Sequence, residues 1–344
     1  MTVDVRPFHL ELTRPFETGG HTIERRSGWV FALGGDVGGF GEATPLPGFT
    51  EDAATCEEAL RAAERALRTE DWPAALAATR DAPAARHALV SALLDRRARE
   101  RGVPLHRELG GRGSRASVPV QATIGDGSVA ETRERAGEAV DGGSETLKVK
   151  VGARDLSADL DRLRAVRDRV GGAVALRIDA NAAWTVEQAR AAMDSLASLG
   201  VDLLEQPLAP DDLAGHRALR GSVPIALDES LSAVDPTAIL EAEAADALVL
   251  KPMALGGVDV ARGVARRARG RGLSVVVSNT IEGTVGRLAA LHLAASLPAV
   301  SATGLGTASL LATDLAPDPA PVSGGHMRVP EGPGLGIEEV SIDA

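Results

Sequence analysis

The sequence repeats one local pattern eight times between residues 118 and 306, and this repetition limits the folds open to the chain. Each repeat begins with a short run of apolar or β-branched residues, and the runs start roughly 22 to 29 residues apart. The eight runs are VPVQATI (118–124), TLKVKVG (146–152), ALRIDAN (175–181), LLEQPL (203–208), IALDES (225–230), ALVLKP (247–252), SVVVSNT (274–280) and SATGLG (301–306). Segments with a helical pattern lie between them, for example 156–170, 185–200 and 257–272. Short strands that alternate with helices predict a parallel sheet.

Eight strands with seven intervening helices are what a closed parallel barrel requires. We therefore expect an α/β fold in which residues 101–312 form a (β/α)7β TIM-like barrel. A doubly wound open sheet is the alternative, and it ranks second because no glycine-rich nucleotide-binding loop follows the first strand.

The segments on either side of the barrel have a different pattern. In residues 1–100, an extended run at 3–12 and a hairpin of 27–33 with 39–43 precede two helical segments, which predicts an α+β capping domain. The first helix is expected to have Thr50 as its N-cap, and the second to cover 83–101. The tail, residues 313–344, is rich in turn-forming residues and is expected to pack back on the capping domain.

Composition and charge exclude several classes of function. The formal net charge of −11 argues against nucleic acid or an anionic membrane as the main partner. No apolar run approaches the roughly 18 residues that a membrane span needs. The single cysteine, Cys56, rules out an internal disulfide and a cysteine metal cluster, so we expect a cytoplasmic protein. The oligomeric state is not readable from the sequence.

Three carboxylates end three consecutive strands of the predicted barrel. Asp179, Glu205 and Asp228 would all lie at the carboxyl-terminal face, where barrel enzymes place their active sites. Such a group repels itself unless a cation lies between its members. Ligation by oxygen alone favours Mg²⁺, with Mn²⁺ as the alternative. A lone acidic residue at a strand end is more often part of a turn, but a matched set of three indicates a metal site.

The lysines form the second set of candidates. The chain has 37 Lys and Arg residues, of which only Lys148, Lys150 and Lys251 are lysines. Arginine stays protonated in proteins, whereas lysine can become a neutral amine and act as a base. Lys148 and Lys150 share a strand face, and Lys251 follows four strands later, on the opposite wall of an eight-stranded barrel. We expect two lysine positions to flank a substrate.

Other polar residues at the strand ends are candidates for binding a small carboxylate substrate. Each also has a structural alternative, either as an ion-pair partner or as a turn residue. These candidates are Arg177, Asn181, Ser278, Asn279, Thr280, Gly304 and Gly306. In the capping segment, Phe16, Trp29 and Phe49 are expected either to cover the substrate or to pack in the core.

These motifs together resemble the enolase superfamily. KVK, DAN, EQP, DES and LKP occur in this order, one per strand, and the likeness covers nearly the whole chain. The resemblance implies that Asp179, Glu205 and Asp228 bind Mg²⁺. It also implies that the three lysines are the acid/base residues of the muconate-lactonizing subgroup.

Within that subgroup the chain resembles the o-succinylbenzoate synthases of menaquinone biosynthesis. The similar stretches are GGFGEATPLPGF, LKPMALGG, SNTIEGTVGRLAALHLAASLP and ATGLGTASLLATDL. This likeness implies a lyase that dehydrates 2-succinyl-6-hydroxy-2,4-cyclohexadiene-1-carboxylate by syn elimination. Lys150 would take the α-proton, giving an enediolate that Mg²⁺ stabilises, and would then help the hydroxyl leave. Lys251 would remain charged and stabilise that intermediate.

Two alternatives remain open at this point. The first is racemisation of N-acylamino acids, epimerisation of dipeptides or cycloisomerisation of muconates at the same site. The second is a non-catalytic barrel that binds a metal or a small molecule, which would leave the placement of the lysines unexplained.

Overall fold

The computed structural model describes residues 2–18, 21–110, 115–299 and 301–341. An antiparallel sheet covered by helices comes first, and a parallel barrel follows it. The first sheet has the order β1 (Thr2–Thr18), β2 (His21–Gly34) and β3 (Gly39–Ala43). Leu33 pairs with Gly39 and Trp29 with Ala43, which confirms the predicted hairpin. The first strand runs beyond the expected 3–12, because it continues to pair after an irregularity between Glu11 and Phe16.

Helices pack on this sheet and lead to the barrel. They are α1 (Ala53–Leu67), α2 (Trp72–Ala78), α3 (Pro83–Glu100) and the short α4 (Leu105–Glu108). The helix α3 lies directly against β3. A side-chain carbon at Gly41 would come within 1.9 Å of the Ala88 carbonyl oxygen, so this close approach requires glycine.

The prediction that Thr50 caps α1 is wrong. Asp52 is the N-cap, and its carboxylate accepts a hydrogen bond from the Thr55 amide at 2.8 Å. The Thr50 hydroxyl instead accepts a hydrogen bond from the Leu46 amide at 2.8 Å and closes the preceding turn. Helix α2 was not anticipated from the sequence, although Asp71 caps it and Pro73 lies in its first turn.

Seven parallel strands form the barrel, each hydrogen-bonded to the next along the chain. A short strand, β4 (Ser117–Pro119), leads into them. The barrel strands are β5 (Ala122–Ile124), β6 (Thr146–Lys150), β7 (Ala175–Asp179), β8 (Val201–Glu205), β9 (Ile225–Leu227), β10 (Ala247–Leu250) and β11 (Ser274–Val277). The helices between and after them are α5 (Val129–Asp141), α6 (Leu156–Val170), α7 (Val186–Ser198), α8 (Leu213–Leu219), α9 (Ser230–Ala233), α10 (Pro236–Glu241), α11 (Val258–Gly270) and α12 (Thr284–Ser296).

The predicted eighth strand is present as a short closing segment instead of a regular strand. Thr303 forms a parallel bridge to Val120, and Gly304 forms one to Ser278. The Thr303 amide donates to the Pro119 carbonyl at 2.8 Å, and the Gly304 amide donates to the Val277 carbonyl at 2.9 Å. These bonds join the two ends of the seven-stranded sheet, so the α/β, TIM-like barrel fold with its N-terminal cap is confirmed. A single 3-10 turn, Ala308–Leu310, follows.

Alternate residues of the strands pack in two separate apolar layers. Leu147, Val149 and Ile178 belong to the large layer between the strands and the helices. Leu203 and Val249, with a few others, form a small separate cluster. Because side chains alternate along a strand, Lys148 and Lys150 point away from the helix layer and into the barrel.

The tail returns along the outside of the barrel to the capping segment. Strands β12 (Val322–Ser323) and β13 (His326–Arg328) form an antiparallel sheet with β4. Further on, the Leu335 amide donates to Asp95 at 2.7 Å, and Arg99 donates to the Ile337 carbonyl at 2.6 Å. The domain boundaries 1–100, 101–312 and 313–344 stay a prediction, and residues 342–344 lie outside the described part. None of the described helices combines the length and apolar character that crossing a membrane requires.

Candidate active site

The strand register brings the candidate lysines and carboxylates together at one end of the barrel. Lys150 pairs with Asp179 across β6 and β7, and Asp179 pairs with Glu205 across β7 and β8. Asp228 directly follows β9, and Lys251 directly follows β10. All three carboxylates are buried, with at most 4 % of their surface exposed. Neighbouring parallel strands therefore present acid and base groups to one shared space.

The lysine ammonium groups pair with all three carboxylates. Lys148 donates to Asp179 at 2.8 Å and to Glu205 at 2.9 Å, so it lies between two strands. The Lys150 nitrogen lies 2.9 Å from the same oxygen of Asp179. On the other wall, Lys251 donates to Asp228 at 2.6 Å. The three lysines thus form two groups of ion pairs, one with Asp179 and Glu205 and one with Asp228.

Burial and mutual repulsion control the ionisation of the carboxylates. Burial, followed by the neighbouring charge of Asp179, raises the pKa of Glu205 to about 7. Burial also raises the pKa of Asp228 to about 6, although Lys251 opposes the shift. Burial alone would raise the pKa of Asp179, but Lys148 and Lys150 outweigh it and hold that pKa well below its usual range. Asp179 is therefore held ionised, whereas burial favours the neutral forms of Glu205 and Asp228.

The carboxylates also raise the pKa values of two of the lysines. Burial would lower the pKa of Lys148, but the charges of Asp179, Glu205 and Asp228 outweigh it and raise that pKa. For Lys251, burial is likewise outweighed by Asp228, and the pKa is raised. Both residues are held as ammonium ions in this arrangement.

The residues present fit a divalent cation in their chemistry. They offer buried carboxylate oxygens, and one oxygen of Asp228 is buried without a hydrogen-bond partner among the described residues. As the side chains stand, no three acidic, histidine or cysteine residues of the described part form a ready metal cluster. The physical reason is that the Lys148 ammonium lies between Asp179 and Glu205. A cation shared by these carboxylates would replace part of that ion pairing.

Asn181 lies beside the candidate base Lys150, whereas Arg177 makes hydrogen bonds within the barrel wall. Asn181 accepts a hydrogen bond from Lys150 at 2.7 Å, and its backbone has a positive φ of 42°. Arg177 is buried and donates to Gln121 and to the Ala302 carbonyl, both at 2.7 Å. The bonds of Arg177 thus tie the closing segment to the barrel wall.

The candidates at the ends of the seventh and closing strands form a neutral polar surface. Ser278 donates to the Gly304 carbonyl at 3.4 Å, and Asn279 donates to the Thr307 hydroxyl at 2.8 Å. The Asn279 side-chain oxygen is buried without a partner among the described residues. Both the amide and the hydroxyl of Thr280 donate to Glu282. A side-chain carbon at Gly304 would lie 2.5 Å from the Ser278 hydroxyl, so a larger residue would have to displace that side chain. Gly306 follows in the same segment, where a side-chain carbon would come 3.1 Å from Val120.

Sequence reasoning overlooked Gln206, which lies between the metal candidates. Its side-chain oxygen accepts from the Asp228 amide at 2.9 Å and from the Ser230 amide at 3.2 Å. Its side-chain nitrogen donates to the Leu208 carbonyl at 3.0 Å. Gln206 is fully buried and fixes the backbone that carries Asp228. The EQP motif contained this residue, but the sequence could not show that the side chain directly after β8 reaches the backbone after β9.

Two charged residues outside the candidate set also contact the site residues. Glu229 accepts a hydrogen bond from Asn181 at 3.0 Å. Arg162 of α6 is almost fully buried and donates to the Lys150 carbonyl at 2.9 Å and to the Gly125 carbonyl at 3.1 Å. The helix layer thereby holds the ends of β5 and β6 in place.

Of the three aromatic candidates in the cap, Phe49 reaches the lysines. The Lys251 nitrogen lies 3.8 Å from the centre of the Phe49 ring. Trp29 is buried in the core between the cap sheet and its helices, and Phe16 packs at the edge of the main core.

Similarity to known proteins agrees with this geometry. A profile of the family described as Enolase C-terminal domain-like matches residues 131–340. The chain is 32 % identical to the L-Ala-D/L-Glu epimerase of Bacillus subtilis (strain 168) over 342 residues, which are 95 % of this chain and 93 % of that protein. It is 42 % identical to the o-succinylbenzoate synthase of Thermobifida fusca (strain YX) over 215 residues, which are 61 % of this chain and 66 % of that protein.

Solved structures are similar over nearly the whole chain. The substrate-liganded L-Ala-D/L-Glu epimerase of Bacillus subtilis superposes with a TM-score of 0.90 at 31 % identity, covering 99 % of this chain and 100 % of that one. The dipeptide epimerase of Enterococcus faecalis V583, complexed with Mg and a dipeptide, has a TM-score of 0.88 at 28 % identity, covering 98 % and 99 %.

Proposed function

Because the chain belongs to the Enolase C-terminal domain-like family, and so to the enolase superfamily, we propose that it is an enzyme that removes the proton next to a substrate carboxylate. The reaction we propose is the syn dehydration of 2-succinyl-6-hydroxy-2,4-cyclohexadiene-1-carboxylate to 2-succinylbenzoate, an o-succinylbenzoate synthase activity. The lysines and carboxylates that pair at one barrel mouth support proton abstraction, because they bring a candidate base close to candidate metal ligands. The likeness to the Thermobifida fusca synthase supports the choice of substrate.

Lys150 is the base in this proposal. Its unprotonated amine takes the α-proton, and the electron pair of the broken C–H bond moves toward the carboxylate. The resulting ammonium then gives its proton to the departing hydroxyl, so that water leaves and the ring becomes aromatic. Asn181, bonded to Lys150 at 2.7 Å, orients the amine throughout. Lys148 and Lys251 supply fixed positive charge on either side of the negative charge that develops.

Asp179, Glu205 and Asp228 would hold Mg²⁺. The bound ion supplies positive charge that stabilises the negative charge developing on the substrate carboxylate. Gln206 contributes by holding the Asp228 backbone, and Arg162 by holding the Lys150 carbonyl.

The single observation that favours this substrate is the neutral polar surface at the ends of β11 and the closing segment. The side chains from Ser278 to Thr280 carry no charge, and the closing segment SATGLG contains no acidic residue. The neighbouring Glu282 is buried and accepts from the amide and hydroxyl of Thr280. A substrate with a second carboxylate needs hydrogen-bond donors at this position, whereas a dipeptide brings an ammonium group that needs an acid. The surface fits the succinyl carboxylate better.

The test is an assay of turnover of the cyclohexadiene carboxylate, in which the absorbance change on aromatisation measures the rate. We expect turnover with Mg²⁺ and none in excess chelator. Lys150→Arg should lower kcat by about 10²- to 10⁴-fold, because arginine keeps the charge but provides no base. Arg164→Lys, the reverse exchange on the exposed face of α6, is the matched control and should leave kcat unchanged. Full turnover in chelator or by Lys150→Arg contradicts the proposal.

Epimerisation of a dipeptide or an N-acylamino acid is the second candidate, because the epimerase of Bacillus subtilis is similar over 95 % of the chain. It requires proton delivery from both walls, and Lys150 and Lys251 are four strands apart. Lys251→Arg separates the two reactions, because arginine is too weak an acid to deliver a proton but still carries charge. Dehydration should remain measurable in this variant, while epimerisation should be lost. An enzyme that epimerises dipeptides but does not dehydrate the diene would establish the second candidate instead.

A further inference from the structure

The cap contributes one ring to the site, and that ring contacts a lysine. The Lys251 nitrogen lies 3.8 Å from the centre of the Phe49 ring, which is within the range of a cation–π contact. The described hydrogen bond of this ammonium goes to Asp228. Lys251 is therefore held from two directions, by an acid of the barrel and by an aromatic ring of the cap.

The turn that carries Phe49 is built to hold the ring in place. The Phe49 and Thr50 amides both donate to the Leu46 carbonyl at 3.0 Å. The Leu46 amide in turn donates to the Thr50 hydroxyl at 2.8 Å. These three bonds close the turn on itself, so the backbone under the ring has a defined shape.

The same turn is fixed to the barrel by a buried arginine. Arg26 donates to the Thr44 carbonyl at 2.7 Å and to the Pro45 carbonyl at 3.2 Å, just before the turn. It also donates to the Ile281 carbonyl at 3.3 Å, in the loop after β11. The position of the Phe49 ring is thus set relative to the barrel mouth and not only relative to the cap.

We propose that Phe49 is a positioning residue that holds the Lys251 ammonium at the barrel mouth. A lysine side chain has four rotatable methylene groups, and a single ion pair fixes its end poorly. A divalent cation held by Asp228 would take up part of the negative charge that binds Lys251, whereas the contact with the neutral ring would remain. The fixed cap turn therefore completes the lysine arrangement. This role rests on the proposed function only for its effect on turnover, since the contact itself exists without substrate.

A cavity beside the Phe49 ring leaves space for a larger aromatic side chain, so the ring contact can be tested by substitution. It has a volume of about 430 Å³ and is lined by Phe49 together with Gly48, Leu231 and Leu255, among others. A larger ring at position 49 thus has space, so Phe49→Trp can keep the aromatic contact. Phe49→Leu keeps an apolar side chain but removes the ring. Phe40→Leu is the matched control, because it removes another ring that contacts a cation, Arg99, far from the lysines.

The first measurement is NMR of protein labelled with ¹³C at the lysine ε-carbons. Only three lysines contribute signals, and Lys251→Met assigns the one that belongs to Lys251. The ring current of Phe49 should shift its ε-protons upfield. We expect this shift to disappear in Phe49→Leu and to persist in Phe49→Trp and Phe40→Leu. A Lys251 signal that is the same in the wild type and in Phe49→Leu overturns the proposal.

The second measurement is turnover of the cyclohexadiene carboxylate by the same variants. Phe49→Leu should lower kcat about tenfold, the size of effect expected for one cation–π contact, and Phe49→Trp should restore it. A lost NMR shift with unchanged kcat overturns the positioning role. A wild-type protein that keeps the NMR shift but does not dehydrate the diene contradicts the proposed function, and the ring contact then stands alone.

Discussion

At the scale of single residues, the site depends on neutral side chains that hold charged ones. Gln206 is the clearest example, because its oxygen accepts from the Asp228 amide while its nitrogen donates to the Leu208 carbonyl. Glutamate has the same shape but no donor. A buried carboxylate there would face the Leu208 carbonyl and would add a negative charge close to Glu205.

We predict that Gln206→Glu lowers the free energy of unfolding by about 2 to 4 kcal/mol, the cost of a buried group left unpaired. It should also change Mg²⁺ affinity, because it adds a negative charge close to Glu205 and Asp228. Gln188→Glu is the matched control, since Gln188 accepts from the Thr185 amide in an exposed capping box that glutamate preserves. Urea unfolding and Mg²⁺ titration measure both effects, and equal stability losses in the two variants would contradict this role for Gln206.

The sequence predicts the lysines and carboxylates of the candidate site much better than the residues that support them. Lysine scarcity and matched strand-end acids identify Lys150 and Asp179, because both patterns are local and repeat with the strands. Gln206 and Arg162 act across strands or from a helix onto a strand end, and no local pattern encodes such contacts. Phe49 was a candidate, but its distance to Lys251 depends on how the cap lies on the barrel.

At the scale of elements, strands and long helices follow from the sequence, whereas ends and closures do not. Helix α6 has the predicted bounds, 156 to 170, because its apolar spacing and flanking polar residues agree. The sequence predicts the wrong N-cap for α1, because Thr50 and Asp52 are both residue types that cap helices well. The Thr50 hydroxyl instead accepts from the Leu46 amide in the preceding turn, and Asp52 caps the helix. The closing segment lies where the eighth strand was predicted, but it forms only two β-bridges among the described residues, because it must fit between two strand ends.

Helix α12 carries a buried histidine that couples stability to pH. His292 donates to the Leu335 carbonyl at 3.3 Å, and its other ring nitrogen accepts from the His106 amide at 3.2 Å. The His106 and His292 rings stack at 5.5 Å. Burial, the largest effect, lowers the pKa of His292 from 6.5 to about 3, and burial also lowers the pKa of His106. The folded protein therefore keeps His292 neutral where the unfolded chain binds a proton.

The stability that His292 contributes decreases as the pH falls. Between about pH 6.5 and pH 3 the unfolded chain binds more protons at this position, so the contribution of His292 is complete above pH 6.5 and is lost as the pH falls. We predict that the stability advantage of the wild type over His292→Asn shrinks by about 2 kcal/mol between pH 7 and pH 5. Urea unfolding at both pH values measures it, with His9→Asn at an exposed position as the control. An advantage that is constant with pH would show that His292 is not kept neutral by the fold.

At the scale of the whole molecule, the cap and the barrel share the site. Glu42 of β3 accepts from the Gly283 and Gly286 amides, both at 2.7 Å, at the start of α12. Arg26 of β2 joins the cap turn to the loop after β11 through three carbonyls. The profile match covers residues 131–340 and so leaves out the cap, but the cap fixes the turn that reaches the lysines. Substrate choice is therefore expected to depend on contacts between the two parts.

Adjacent arginines on β2 allow this dependence to be tested. Arg26 is buried, with 4 % of its surface exposed, whereas the Arg25 side chain is 56 % exposed and lies 4.0 Å from Glu11. Arg26→Met leaves three carbonyls without their donor, so we predict a loss of about 2 to 4 kcal/mol in the free energy of unfolding. The freed turn should also raise the KM for the diene about tenfold, a binding loss of about 1.4 kcal/mol. Arg25→Met removes the same charge from an exposed pair and should change stability by less than about 0.5 kcal/mol and leave KM unaltered. Urea unfolding and steady-state kinetics on both variants decide the matter, because a KM that rises equally in both would point to the lost charge and not to the anchored turn.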